Sequence, residues 1–228
     1  MCSLSYLPSK EGFILSHNRD ELPQRESSST IKEGPDFYFP QDLKAGGTWM
    51  GAHKSGWSAC LLNGGSVPYL RKLPYAESRG TVILRFLEEP NLKHFQKQSW
   101  EGLEPFTLIL ARANELWQLH HDPHEKHWQK LNPEEAHFWS STKLYHPNIR
   151  AAREARFRNW LTESQTIDRK SIQAFHLDTQ LSPTKGGLRL DEDSLLNTVS
   201  FCQFEAQREQ FHFSYHYLLK NRSDQKNW

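Results

Sequence analysis

Strict alternation of side chains opens the chain. In Cys2-Ser3-Leu4-Ser5-Tyr6 the large or sulfur-bearing positions are separated by serines. That is the period-2 pattern of a strand with one apolar face. Gly12-Phe13-Ile14-Leu15-Ser16 is apolar again after Pro8–Glu11, so the two segments are predicted to form a hairpin. His17-Asn18-Arg19-Asp20-Glu21 follows directly from the second strand, at its end. Leu22–Asp42, with its Ser and Pro, reads as a long surface loop. Gly46-Gly47 predicts a tight turn ahead of Thr48-Trp49-Met50-Gly51, and Gly56–Leu62 a further strand ending at Asn63-Gly64-Gly65. Beyond Ser78-Arg79-Gly80 the period changes. Ile83, Phe86 and Leu87 have helical spacing, and Pro90-Asn91 opens a short helix carrying Leu92 and Phe95.

Phe106–Ala111, Glu115–His120 and Lys126–Leu131 predict three more strands. His146-Pro147-Asn148 starts a helix whose Ile149, Ala152, Phe157, Trp160 and Leu161 form one stripe. Asn197–Phe204 and Gln210–Leu218 predict a final antiparallel pair. Strands in runs, with helices grouped between them, predict an α+β layered domain rather than alternating βαβ units. The 228 residues are read as one domain, 1–228. A chain of this size buries roughly 70% of its unfolded surface and needs no metal or disulfide to fold.

Composition narrows the function classes. Lys+Arg is 28 and Asp+Glu 27, a formal net charge of +1, which gives no reason to expect nucleic acid or an anionic membrane as the main partner. The basic cluster Arg150–Arg158, interrupted by Glu154, reads as a solvated helix face. The first residues lack a basic segment followed by an apolar one, and no apolar run approaches the ~20 residues of a membrane span. Cys2, Cys60 and Cys202 are odd in number and widely spaced, which argues against a disulfide framework and for a cytoplasmic protein. His120-His121-Asp122-Pro123-His124-Glu125-Lys126-His127 is rich in metal-ligand types, yet Asp122–Glu125 reads as a turn. His121 and His127 would face each other across that hairpin, and no cysteine completes a zinc set. No metal and no cofactor are expected. His212 and His216 share one strand face and read as satisfied sheet histidines.

Three groups carry chemistry. If Met1 is removed, Cys2 begins the chain with a thiol beside a free α-amine. Such an amine titrates near ~7.7–8.0 and can act as the thiol's own base. The predicted hairpin brings Asn18-Arg19-Asp20 back beside Cys2. There an Asp can orient the α-amine, and an Arg can favour the thiolate or bind an oxyanion. Asn63 ends a strand; its amide can donate to a tetrahedral oxyanion, while Asn63-Gly64-Gly65 equally fits an ordinary turn.

Met1-Cys2, Asn18-Arg19-Asp20-Glu21, Gly46-Gly47-Thr48-Trp49, Leu62-Asn63 and Ser78-Arg79-Gly80 stand in an order that resembles the NRDE family, also called the Transport and Golgi organisation protein 2 family. The resemblance covers at least residues 1–87 and continues more weakly to the final strand pair. It implies an N-terminal-nucleophile hydrolase fold, a four-layer αββα sandwich, and looks distantly like the choloylglycine hydrolase and penicillin V acylase group. By that resemblance Cys2 attacks an amide, Asp20 holds the α-amine, Arg19 sits by the nucleophile and Asn63 helps form the oxyanion hole. Asn18, Glu21, Trp49 and Arg79 would contact substrate. Two departures stand out. Arg19 and Asp20 are adjacent where those acylases leave a gap. Ser140-Ser141-Thr142 carries no Asn where relatives often place one. The expected function is an amidohydrolase acting on a small-molecule amide or acyl ligand; the alternative is a non-catalytic binder of a hydrophobic or acyl ligand in the same cleft.

Overall fold

The computed structural model describes residues 2–190 and 195–228. Two antiparallel sheets stack face to face and helices cover their outer faces, giving four layers in the order αββα. In chain order the strands of sheet one are β1 (Cys2–Ser9), β2 (Gly12–Glu21), β10 (His137–Ser140), β11 (Asn197–Gln207), β12 (Gln210–Tyr217) and β13 (Arg222–Asn227). They lie side by side as β10-β1-β2-β11-β12-β13. Sheet two runs in sequence order: β3 (Lys32–Glu33), β4 (Phe37–Phe39), β5 (Met50–His53), β6 (Ser58–Asn63), β7 (Phe106–Arg112), β8 (Glu115–His121) and β9 (Lys126–Leu131). The helices are α1 (Thr81–Glu88), α2 (Leu92–Phe95), α3 (Pro147–Glu163) and α4 (Arg169–Leu177).

The opening alternation sets the layers. Cys2, Leu4 and Tyr6 point between the sheets, where they meet Met50, Cys60, Leu62 and Ile109 of sheet two. Leu7 and Ile14 point outward and are covered by Phe157 of α3 and Ile172 and Phe175 of α4. Helix α1 lays Val82, Ile83, Phe86 and Leu87 on the other outer face, against Trp57 and Leu108. Each such side chain contributes about 1.5–3 kcal/mol on full burial, so an error of one residue in strand register would expose the whole set.

Several expectations need correction. The segment 18–21 lies inside β2 rather than after it, because β11 pairs with β2 from Gly12 through Glu21 and extends the ladder. Leu22–Asp42 is not a surface loop. Ser27, Ser28, Ile31, Phe37, Tyr38 and Asp42 are buried, and β3 and β4 form an edge of sheet two. The Arg150–Arg158 cluster is only partly solvated: Arg153 is fully buried and Arg156 pairs with Asp178, while Arg158 is exposed. Across the β8–β9 hairpin His127 faces His120, and His121 faces Lys126. Strands β5, β10 and β13 and helix α4 had no clear signal; β13 reads Arg-Ser-Asp-Gln-Lys-Asn, a polar edge held by β12 alone. Among the described residues no helix is long and apolar enough to cross a membrane.

Candidate functional site

Cys2 and Arg19 are direct partners across the β1–β2 hairpin. The Cys2 carbonyl turns to the other edge of its strand and accepts from Ser141 N at 3.0 Å. Cys2 and Arg19 therefore share no ladder bond and form the closer kind of antiparallel pair, with Cα atoms about 4.5 Å apart. Both side chains face sheet two. The Arg19 guanidinium is fixed on three sides: Nη2 donates to Asp42 Oδ2 at 2.7 Å, Nη1 to Ser27 Oγ at 2.7 Å, and its plane lies 4.3 Å from the centre of the Trp49 ring. Asp42 also accepts from Arg25 Nε at 2.7 Å, and Arg25 reaches Glu21 at 3.6 Å. Burial pushes the Cys2 thiol above its ordinary range and the Asp20 charge adds to this, whereas Arg19 draws it back down.

These residues open onto a small pocket of about 70 Å³, lined by Cys2, Arg19, Trp49, Leu61, Asn63 and Arg79 among others. Larger cavities lie elsewhere, such as one of about 780 Å³ at the opposite end of β1 between the turns around Lys10, Asn114 and Pro133. Convergence of polar groups on a thiol, rather than volume, makes the smaller one the candidate site. One pocket wall explains why both glycine motifs are needed. The backbones of Gly47 and Gly80 cross, with Thr48 N donating to Gly80 O at 3.2 Å. A Cβ on Gly47 would sit 2.7 Å from the Gly80 carbonyl carbon, and one on Gly80 would sit 2.6 Å from the Thr48 carbonyl oxygen. Neither position has room for a side chain. Arg79, beside this crossing, pairs with Glu104 at 3.3 Å and donates to Pro105 O at 3.1 Å.

Asn63 also lines the pocket. Its carbonyl accepts from Ser141 Oγ at 2.7 Å and Lys143 N at 3.3 Å, which ties the end of β6 to the segment after β10. Ser141 thus binds the backbones of both Cys2 and Asn63, on two different sheets.

Alternation along β2 divides the four residues 18–21. Arg19 and Glu21 line the pocket; Asn18 and Asp20 do not. Asn18 points to the helix layer, where Nδ2 donates to His176 O at 2.9 Å and Leu188 O at 3.2 Å, and Oδ1 lies 3.2 Å from His176 Nδ1. Asp20 accepts from Thr198 Oγ1 at 2.6 Å and from the Tyr145 hydroxyl. Arg153 reaches the same region, donating to Ser3 Oγ and Gly187 O at 3.0 Å each and stacking 3.8 Å from the Tyr145 ring centre. Burial pushes the Asp20 carboxyl upward; the Arg153 charge and the two hydroxyl donors oppose that shift.

The sequence pattern did not point to Asp42, Tyr145, Thr198 or Arg153, and it marked Ser141 only as part of a segment without an Asn. Asp42 had one signal, its place just ahead of Gly46-Gly47; Arg153 had none, since it stands in a run of basic residues. Cys60 and Cys202 share the inter-sheet core with Cys2, and all three are free thiols. Neither Cys60 nor Cys202 lines the pocket, and burial raises both. His17 shares the Cys2 face of β2 but is sealed in the core, and burial lowers its pKa well below the ordinary value. Among the described residues no group of three His, Cys, Asp or Glu is placed to hold a metal ion.

A family model described as Transport and Golgi organisation 2 matches residues 1–210. No curated protein matches the chain. Similar solved structures include the Caenorhabditis elegans ortholog of N-acylethanolamine-hydrolyzing acid amidase, 12% identical over 89% of this chain and 92% of that one, with a TM-score of 0.60. Penicillin V acylase from Agrobacterium tumefaciens is 10% identical over 99% of this chain and 85% of that one, with a TM-score of 0.56. A variant of the conjugated bile acid hydrolase from Clostridium perfringens is 11% identical over 99% of this chain and 92% of that one, with a TM-score of 0.63. At these identities the likeness establishes a shared N-terminal-nucleophile hydrolase fold.

Proposed function

Because this chain belongs to the Transport and Golgi organisation 2 family, and folds like amidases and acylases, we propose that it hydrolyses an amide C–N bond with Cys2 as nucleophile. The reading requires removal of Met1. The freed α-amine then takes the proton from the Cys2 thiol, and the sulfur attacks the amide carbon. The developing oxyanion is met by the Asn63 amide, a donor of the kind whose loss costs about 100- to 1000-fold in rate. The C–N bond breaks as the ammonium returns its proton to the leaving amine, leaving a thioester. Water activated by the same α-amine hydrolyses the thioester, releasing the carboxylic acid and restoring the thiol.

Arg19 supports the thiolate through its charge, and Asp42, Ser27 and Trp49 keep it from swinging away. Asp20 acts from behind the sheet, as the acceptor that orients the α-amine. Glu21 and Arg79, on the pocket wall, contact the substrate's flanking atoms; Asn18 supports β2 from the helix side.

The observation that carries the reading is the pairing of Cys2 with Arg19 at a pocket that also presents Asn63. The other two thiols have no such opening. A second reading, a non-catalytic binder of an acyl ligand in the same cleft, is favoured by the burial of the Cys2 side chain in any molecule that keeps Met1, since the Cys2 nitrogen is then an amide and cannot take the thiol proton. Intact mass separates the two states. In Met1-free protein an electrophilic acylating probe should label Cys2, and the adduct should vanish in Cys2→Ala. Absence of any adduct on the processed protein would sink the hydrolase reading and leave the binder.

A further inference from the structure

Exposed apolar side chains are unevenly distributed over this molecule. Single exposed leucines are ordinary on a protein surface; a cluster is not. Leu43, Val67, Leu70 and Leu73 are four of the eight exposed large apolar side chains among the described residues, Leu70 exposed to 86% and Leu73 to 69%. All four stand at the end of the sandwich that holds the Cys2 pocket. Leu43 follows Asp42, which lines the pocket, and residues 66–77 lead directly into its Ser78–Gly80 wall. At the other end, the turns around Lys10, Asn114, Glu134 and Glu209 carry none of the exposed large apolar side chains among the described residues.

The loop bearing Leu70 and Leu73 is anchored on both flanks. Asp122 accepts from Ser66 N, Ser66 Oγ and Val67 N; Tyr69 OH donates to Glu104 at 2.8 Å; Ala76 N donates to Gly102 O at 2.9 Å. The two leucines therefore project to solvent between two anchored flanks. Between them lie Arg71 and Lys72, and Lys44 follows Leu43. Among the described residues neither Lys44 nor Lys72 takes part in an ion pair, and Arg71 touches Glu104 only at 3.5 Å. Leucines that project beside the unpaired Lys44 and Lys72 and the half-exposed, weakly paired Arg71 match the chemistry of an acyl–headgroup boundary carrying anionic lipid. The near-zero net charge of the whole chain conceals this local excess.

We infer that the rim formed by Leu43, Val67, Leu70 and Leu73 with Arg71 and Lys72 docks on an anionic phospholipid bilayer, seating the Cys2 pocket at the membrane surface. The small volume of that pocket agrees: at about 70 Å³ it falls below the ~300–1,000 Å³ of sites that enclose a drug-sized ligand. It admits a reacting group whose remainder stays outside, against the rim. The inference stands on surface geometry and does not require Cys2 to be the nucleophile.

Vesicle flotation of the full chain tests it, with phosphatidylcholine vesicles and with phosphatidylcholine–phosphatidylserine vesicles. Wild type should float with the mixed vesicles and much less with phosphatidylcholine alone. The double variant Leu70→Ser, Leu73→Ser should lose roughly ten-fold or more in partitioning. Lys72→Glu should weaken binding to the mixed vesicles. Ile167→Ser, which removes an exposed apolar side chain between α3 and α4, should bind as wild type, as should Cys2→Ala. Failure of wild type to bind mixed vesicles would overturn the inference, as would equal binding by the double variant. Sedimentation without lipid supplies the remaining arm: an oligomer of wild type that the double variant disperses would assign the rim to a second copy of the chain instead.

Discussion

Arg19 and Asp20 are neighbours in the chain and stand on opposite sides of one sheet, and those sides are built differently. The Arg19 side looks into a small opening. Its ion pair with Asp42 is shared with Arg25, which is one-third exposed. The Asp20 side is closed: Thr198, Tyr145, Ser3 and Arg153 are all buried and bound mainly to one another. A strand's two-residue period thus places a group able to touch a ligand next to one that can act only through the backbone. Loss of charge on the open side should alter chemistry with little change in stability. Loss on the closed side should cost the fold far more, because a buried polar group left without its hydrogen-bond partner has no water to turn to.

The largest expected effect is on the open side. Cys2→Ala should abolish turnover by at least about 10⁴-fold while leaving the thermal midpoint near that of wild type; residual turnover at a tenth of wild type would remove Cys2 from the reaction. Arg153→Met should destabilise by about 3–5 kcal/mol in denaturant unfolding, since the buried acceptors Ser3 Oγ and Gly187 O lose their donor and Asp20 loses a nearby opposing charge. Arg19→Met should cost clearly less, because Asp42 keeps Arg25 as a partner. Equal losses from these two variants would dissolve the distinction between the sides. Asn63→Ala should lower kcat about 100- to 1000-fold with unfolding changed by no more than about 1 kcal/mol, and a pure KM effect would assign Asn63 to binding.

The smallest effect is in pH. His176, buried behind Asn18 and 2.8 Å from Ser5 Oγ, has its pKa lowered from 6.5 to about 3, chiefly by burial. A buried neutral histidine binds fewer protons folded than unfolded below pH 6.5. Its contribution to stability therefore falls as pH drops from about 6.5 toward about 3, by about 1.4 kcal/mol per pH unit. His176→Gln should make the acid limb of the stability profile shallower by that slope between pH 6 and 4; an unchanged limb would mean that His176 is charged in the folded protein.

The sequence made the hairpin legible because Cys2–Tyr6 alternates cleanly and Gly12–Ser16 returns after a turn. It made α1 legible because Ile83, Phe86 and Leu87 repeat at helical spacing. The extent of β2 was not legible, because β11, nearly 180 residues away, supplies the partner that keeps 18–21 extended. Nor was the closed side. Arg153 belongs to a helix with little amphipathic contrast, and only the juxtaposition of Ser3, Tyr145 and Gly187 turns it from surface charge into a buried clamp. Asp42 shows the same limit on the open side: its segment is polar in composition, yet it is buried because two arginines close over it. Local pattern records which face a strand hides, and says little about polar partners brought in from distant segments.

The three thiols between the sheets give the molecule an internal clock. Only the sulfur at position 2 borders an opening, while those at 60 and 202 sit where no reagent reaches without the layers parting. In a maleimide time course the first adduct should report on access to the cleft. The second and third should arrive together, at the pace at which the two sheets separate.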